Sequence, residues 1–142
     1  MGTYEIALTQ TLELPPRREG MLAKRAKMGI KAKGRIFFLD PDEIVAVEAK
    51  GNYVLLRRLS GSDRLRESMA MVAEKLRAFG FVRIHRSVIV NASFVEEIRS
   101  ASNGDNVVRV RGGLHYPVTR TYKKNLHAIT PVWIGTNGFQ AD

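Results

Sequence analysis

From Ile30 onward apolar and polar side chains alternate along this chain with a period of two, the signature of half-buried β-strands. Residues 35–39 (Arg-Ile-Phe-Phe-Leu) form the first such run, ended by Asp40-Pro41-Asp42, where the proline presets φ for a turn. Residues 43–49 read as a strand with Val45, Val47 and Ala49 on one face. Lys50-Gly51-Asn52 then turns the chain into a returning strand over 53–59, with glycine and asparagine expected to supply positive φ. Ser60-Gly61-Ser62-Asp63 makes a further hairpin turn into residues 64–67. There the period changes. Met69, Val72, Leu76 and Phe79 recur at helical spacing, with Ser68 placed as N-cap and Gly80 as the stop.

Strands are expected again at 88–90 and 94–98. Asn103-Gly104-Asp105-Asn106 turns into the clean alternation of residues 107–111, and Gly112-Gly113 into residues 114–116. A last helix opens at Thr119, with Tyr122, Leu126 and Ile129 on its apolar face. Closely spaced strands joined by short turns argue for antiparallel sheets rather than βαβ units. The two ends read differently. Residues 1–30 look like an appendage: Tyr4, Ile6 and Leu8 alternate, followed by Leu12 and Leu14, which suits one short strand stopped by Pro15-Pro16. Met21, Leu22, Ala26 and Met28 could form one weak helical turn. Residues 131–142 form a tail whose Trp133, Ile134 and Phe139 are expected to dock on the body.

A chain of 142 residues accommodates one domain with a sizeable core. Cysteine is absent, which excludes a disulfide framework and a thiolate metal site and suits the cytoplasm. No apolar run approaches the roughly 20 residues needed to span a bilayer, so no membrane partner is expected. The net charge of +9 and pI near 10.3 favour polyanionic partners. That charge is uneven. Residues 15–35 hold eight basic side chains against Glu19 alone, whereas residues 36–142 hold fifteen basic against eleven acidic. The body is only mildly basic, so the placement of charge in particular turns must carry any nucleic-acid argument.

Enzyme chemistry finds no support. His85, His115 and His127 stand far apart, and neither a zinc-binding H-E-x-x-H nor a glycine-rich phosphate loop is present. Asp40, Asp42 and Glu43 read as a proline turn rather than a cation clamp. No catalytic residue, cofactor or metal is expected. Three other clusters carry chemistry. In Gly80-Phe-Val-Arg-Ile-His-Arg-Ser-Val-Ile-Val-Asn91, the donors Arg83, His85, Arg86 and Ser87 interrupt an apolar run just before the β-branched residues, as if offered to phosphates or base edges. A solvated turn with ordinary salt bridges would look similar. In the turn at 50–53, the backbone does not require Lys50 or Tyr53, and Asn52 has an amide suited to a base edge. Arg120, Lys123 and Lys124 crowd the start of the last helix, where the macrodipole disfavours cations unless an anion joins them.

The order Glu48-Ala-Lys-Gly-Asn-Tyr53, then Gly80-Phe-x-Arg-Ile-His-Arg-Ser-x-x-Val-Asn91, then Pro117-Val-Thr-Arg120 resembles the LytTR family of bacterial DNA-binding domains over roughly residues 31–130. The resemblance implies a mainly β fold of elongated, stacked antiparallel sheets with one short packed helix and a C-terminal helix. It implies a transcription regulator, related to response regulators, whose inter-strand loops enter successive major grooves of double-stranded DNA, with paired direct repeats bound by two copies. The matching positions are Lys50, Asn52 and Tyr53; His85, Arg86 and Ser87; and Arg120, Lys123 and Lys124. Asn52, Arg86 and Arg120 are the expected base readers, Arg83 and the lysines the expected phosphate contacts, and Asn91 the holder of its own turn. Such domains commonly follow a receiver or another sensor, and about 30 preceding residues are too few for either. The chain is then a stand-alone regulator or a piece of a longer protein. Two rivals remain: an RNA-binding or general nucleic-acid module, which exposed stacking aromatics would favour, and a protein-interaction domain for an acidic partner.

Overall fold

The computed structural model describes residues 26–135. The strand expected within residues 1–14, the basic residues Arg17 to Arg25 and Phe139 of the tail lie outside them. Among the described residues ten strands form three antiparallel sheets. Strands β1 (Met28–Ala32) and β2 (Arg35–Leu39) make a two-stranded ribbon. Strands β3 (Ile44–Lys50), β4 (Tyr53–Arg58), β5 (Ser62–Leu65), β6 (Phe81–His85) and β7 (Val88–Asn91) make a central sheet in the order β5-β4-β3-β7-β6. Strands β8 (Val95–Ser100), β9 (Asn106–Val110) and β10 (His115–Val118) make the third. Helix α1 (Met69–Leu76) separates β5 from β6, and a 3-10 helix over Arg120–Ile129 follows β10.

The central sheet is covered on both faces. On one side Ile44, Val47, Val54, Leu56, Phe81 and Ile89 meet Met28, Ile30 and Leu39 of the ribbon and Met69, Val72 and Leu76 of α1. On the other, Val45, Ala46, Val82, Ile84, Val88 and Val90 meet Val108, Val110, Tyr116 and Val118 of the third sheet, together with Phe94 of the 3-10 turn before it and Leu126. Each fully buried aliphatic side chain contributes about 1.5–3 kcal/mol relative to exposure, so the two interfaces make the stack one cooperative unit. Simple alternation on β3 would put Val45 and Val47 on one face. Instead a bulge between Ile44 and Ala46 turns Val45 and Ala46 together toward the third sheet and leaves Val47 on the α1 side.

The ribbon starts earlier than expected. Met28, read from the sequence as part of a weak helical turn, is a buried strand residue, and Ile30 packs with it. Lys27, Lys31, Lys33 and Arg35 therefore lie on or beside this ribbon, so half of the basic residues clustered between 15 and 35 travel with the folded body. The ribbon turn takes positive φ at Lys33 (52°) and Gly34 (78°), the pair of values a tight type I′ hairpin requires.

Local signals elsewhere operate as read. Ser68 Oγ accepts the Met71 N–H at 3.1 Å, and Gly80 adopts φ of 87° just after α1 and a single 3-10 turn. Asp40 Oδ1 accepts the Asp42 N–H at 2.9 Å, so the acidic cluster closes a 3-10 turn opened by Pro41. Asn91 is buried and holds two turns at once. Its Nδ2 donates to the carbonyls of Pro41 (3.3 Å) and Ile44 (2.9 Å), while its Oδ1 accepts the Ser93 N–H at 3.0 Å. The last helix shows the apolar face expected of it, with Leu126 fully buried, but is wound as 3-10 throughout, unusually long for that form. Thr119 makes no side-chain cap; only its carbonyl serves, accepting the Tyr122 N–H at 3.0 Å. Trp133 donates its indole N–H to the Thr130 carbonyl at 3.0 Å and meets the His127 ring edge-on. Ile134 stays exposed.

Candidate nucleic-acid interface

Two backbone hydrogen bonds bring three loops, distant in sequence, to one end of the stack. The Ala49 N–H donates to the Ser87 carbonyl at 2.9 Å, tying the β3–β4 turn to the β6–β7 turn. The Thr119 N–H donates to the Ile84 carbonyl at 3.1 Å, tying the start of the last helix to that same β6–β7 hairpin. Asn125 Nδ2 adds a bond to the Arg83 carbonyl at 2.9 Å. The three clusters singled out in the sequence thus occupy one contiguous region.

In the first loop Lys50 pairs with Tyr53 across a two-residue turn, Gly51-Asn52. Only Gly51 takes positive φ, 64°, at the first central position. Asparagine is therefore not demanded by the backbone, contrary to the sequence reading, and Asn52 projects exposed without a hydrogen-bond partner among the described residues. Tyr53 is half-buried, and the Arg64 guanidinium covers one face of its ring at 4.4 Å. Lys50 leans on Glu48 at 3.4 Å.

Glu48 was legible as part of a motif, yet its role was not. Its carboxylate accepts the Tyr116 hydroxyl at 2.6 Å and lies 3.6 Å from Arg57. One acidic side chain so joins the central sheet to the third sheet and steadies Lys50. Burial, reinforced by the neighbouring carboxylate, pushes the Tyr116 hydroxyl well above the ordinary phenol range. An acid in an otherwise apolar strand was the available signal; Arg57 and Tyr116 are too far along the chain to be paired with it by pattern.

The second loop is also a two-residue turn, with His85 opposite Val88. Its Ser87 N–H donates to His85 Nδ1 at 3.0 Å, which leaves the other imidazole nitrogen to carry the proton of the neutral ring. Arg86 is exposed, with no ion pair or side-chain hydrogen bond among the described residues. Arg83, expected as a phosphate contact, makes contacts within its own loop. Its Nη2 donates to the Arg86 carbonyl at 2.6 Å, its Nε reaches the His85 carbonyl at 3.4 Å, and its guanidinium lies over the Tyr122 ring at 5.2 Å. Two of its five N–H donors thus serve the chain's own loop.

In the third loop Arg120 and Lys124 are exposed and Lys123 is half-exposed, and none forms an ion pair among the described residues. Arg86, Arg120, Lys123 and Lys124 thus crowd one end of the fold without a neutralising carboxylate. Such a cluster is held apart from anions only by water, and a polyanion would find these charges unspent. The described residues contain no cluster of acidic and histidine side chains able to hold a metal ion, and no helix among them is long and apolar enough to cross a membrane.

Residues 34–130 match the model of the LytTr DNA-binding domain. The chain belongs to that family. It is 26% identical over 104 residues to the sensory transduction protein LytT of Bacillus subtilis, covering 73% of this chain and 43% of LytT. It is 30% identical over 92 residues to the transcriptional regulatory protein BtsR of Salmonella typhi, covering 65% of this chain and 38% of BtsR. The chain therefore spans less than half the length of these relatives. Among solved structures, a LytTr DNA-binding domain from Bacillus cereus superposes with a TM-score of 0.62 over 74% of this chain and 96% of that one, at 18% identity. At that identity the likeness speaks for the fold: stacked antiparallel sheets with few helices.

Proposed function

We propose that this chain is a transcription regulator that binds double-stranded DNA sequence-specifically through its three converging loops. The observation that carries the reading is the backbone tethering of those loops, Ala49 to Ser87 and Thr119 to Ile84, which collects the unpaired cations at one end. Family membership and the regulators among its relatives support the same partner. Asn52, Arg86 and Arg120 are the base readers: an amide suits adenine, and a guanidinium suits guanine O6 and N7 in the major groove. Lys50, Lys123 and Lys124 anchor phosphates, joined by polar contacts from Tyr53, His85 and Ser87. Two copies on paired direct repeats would double the contact area, and such work belongs in the bacterial cytoplasm. No step of this function requires catalysis or a cofactor.

The RNA-stacking alternative lacks a platform, since arginines already cover Tyr53 and Tyr122, the two aromatic rings of the loops. The test is selection of duplexes from a random pool, followed by anisotropy titrations on selected duplex, scrambled duplex, single-stranded DNA and RNA across salt. Preference for selected duplex with a steep negative salt slope is expected. A slope near zero, or equal affinity for all four probes, overturns the reading.

A further inference from the structure

The β6–β7 turn departs from the geometry that two-residue hairpins favour. Two-residue hairpins favour primed turns, whose positive φ matches the twist of the strands, whereas ordinary turns splay them. The ribbon follows the rule at Lys33-Gly34, and the first loop follows it at Gly51. Arg86 and Ser87 do not, because among the described residues Lys33 is the only non-glycine with positive φ. Strand β6 accommodates the misfit with a bulge between Arg83 and His85.

We propose that Arg83 is the positioning residue of the reading end, clamping the Arg86 loop in a competent shape and fixing it against the helix that carries Arg120. The inference rests on the DNA reading above. The guanidinium donates to the His85 and Arg86 carbonyls, at 3.4 Å and 2.6 Å, so the backbone of the base reader itself is held. It lies over the Tyr122 ring of the last helix at 5.2 Å, and the Arg83 carbonyl accepts Asn125 of that helix. One residue thereby links two of the three loops. No carboxylate pairs with it among the described residues; carbonyls and a ring face take that place. A planar fork can serve two carbonyls and stack on a ring at once, which a lysine ammonium cannot.

Arg83→Lys separates this role from a phosphate contact, because it keeps the charge and removes the fork. Amide hydrogen exchange on the free protein is expected to speed up at Arg86 and Ser87 while the central strands and the melting temperature stay near wild type. On the selected duplex, affinity is expected to fall about tenfold, the scale of one charged hydrogen bond, with affinity for scrambled duplex and its salt slope unchanged. In an Arg86→Ala background the further loss caused by Arg83→Lys is expected to shrink, since the loop then has no reader to aim. Wild-type exchange at Arg86 and Ser87 together with wild-type binding overturns the clamp. Equal loss on selected and scrambled duplex overturns it too, in favour of a phosphate contact. If the unmodified protein fails to prefer selected duplex, the DNA reading falls, and the exchange data on the free protein still decide whether Arg83 holds the loop.

Discussion

The three-loop end and the exposed face of the third sheet are comparably rich in arginine, yet they handle charge in opposite ways. On β8 and β9, Arg99 bonds Glu97 at 3.1 Å, and Arg109 bonds Glu96 and approaches Glu97 at 3.5 Å. The Arg99 guanidinium also draws the Glu97 carboxyl below its ordinary range. These cations are answered within the fold. At the loop end Arg86, Arg120, Lys123 and Lys124 have no such acidic partners among the described residues. Arginine content alone would rate the two regions alike. What distinguishes a surface laced with salt bridges from one awaiting an anion is whether carboxylates stand opposite the cations.

The sharpest contrast uses two asparagines, one for each job. Asn91→Ala strips three hydrogen bonds from buried turns and should destabilise the fold by about 3 kcal/mol, the upper range for buried groups left unsatisfied. Asn52→Ala should leave the melting temperature unchanged and alter base preference alone. Thermal melts beside duplex selection decide the matter, and the contrast fails if Asn52→Ala lowers stability as much.

Next in size are the arginines. Arg120→Ala should cost about 1–3 kcal/mol of binding to the selected duplex, as expected for a lost bidentate base contact. Its effect on unfolding should stay within about 0.5 kcal/mol. Arg120→Lys should rescue little at guanine and much at a phosphate, which anisotropy titrations would resolve. A large loss of melting temperature with affinity intact would make Arg120 a structural clamp. Lys123→Ala should weaken all duplexes about equally and reduce the salt slope by about 1, measured across the same titrations. Sequence-dependent weakening would instead make it a reader. The smallest effect belongs to the paired face: Arg109→Ala should leave DNA affinity at wild type and cost about 0.2–1 kcal/mol of stability in denaturant melts. Were it to reduce binding as much as Arg120→Ala does, the division between answered and unanswered cations would collapse.

Elements governed by neighbours in sequence were readable directly. The Ser68 cap, the Gly80 stop, the apolar stripe of α1, the Asp40-Pro41 turn and Asn91's hold on its own turn all depend on groups within a few residues, where spacing is distance. The clusters around Lys50, Arg86 and Arg120 were visible for the same reason: no local structure required those side chains. Distance in sequence hid the rest. The bulge at Val45 breaks the alternation that a pattern assumes, because β3 must serve two cores at once. Thr119 looked like a cap, but the helix start is held by a backbone bond to β6 instead. The Glu48–Tyr116 bond spans 68 residues and forms only when two sheets stack.

Residue type, then, determined which side chains this protein holds out: their charge, their forks and amides, and the turns that carry them. Whether a given arginine reaches outward or inward was settled by packing. Arg83 and Arg86 are three residues apart and chemically identical. The tertiary structure places the Tyr122 ring and two turn carbonyls beside the first and, among the described residues, no ion-pair or hydrogen-bond partner for the side chain of the second, and a guanidinium goes where its hydrogen bonds and ring face are satisfied.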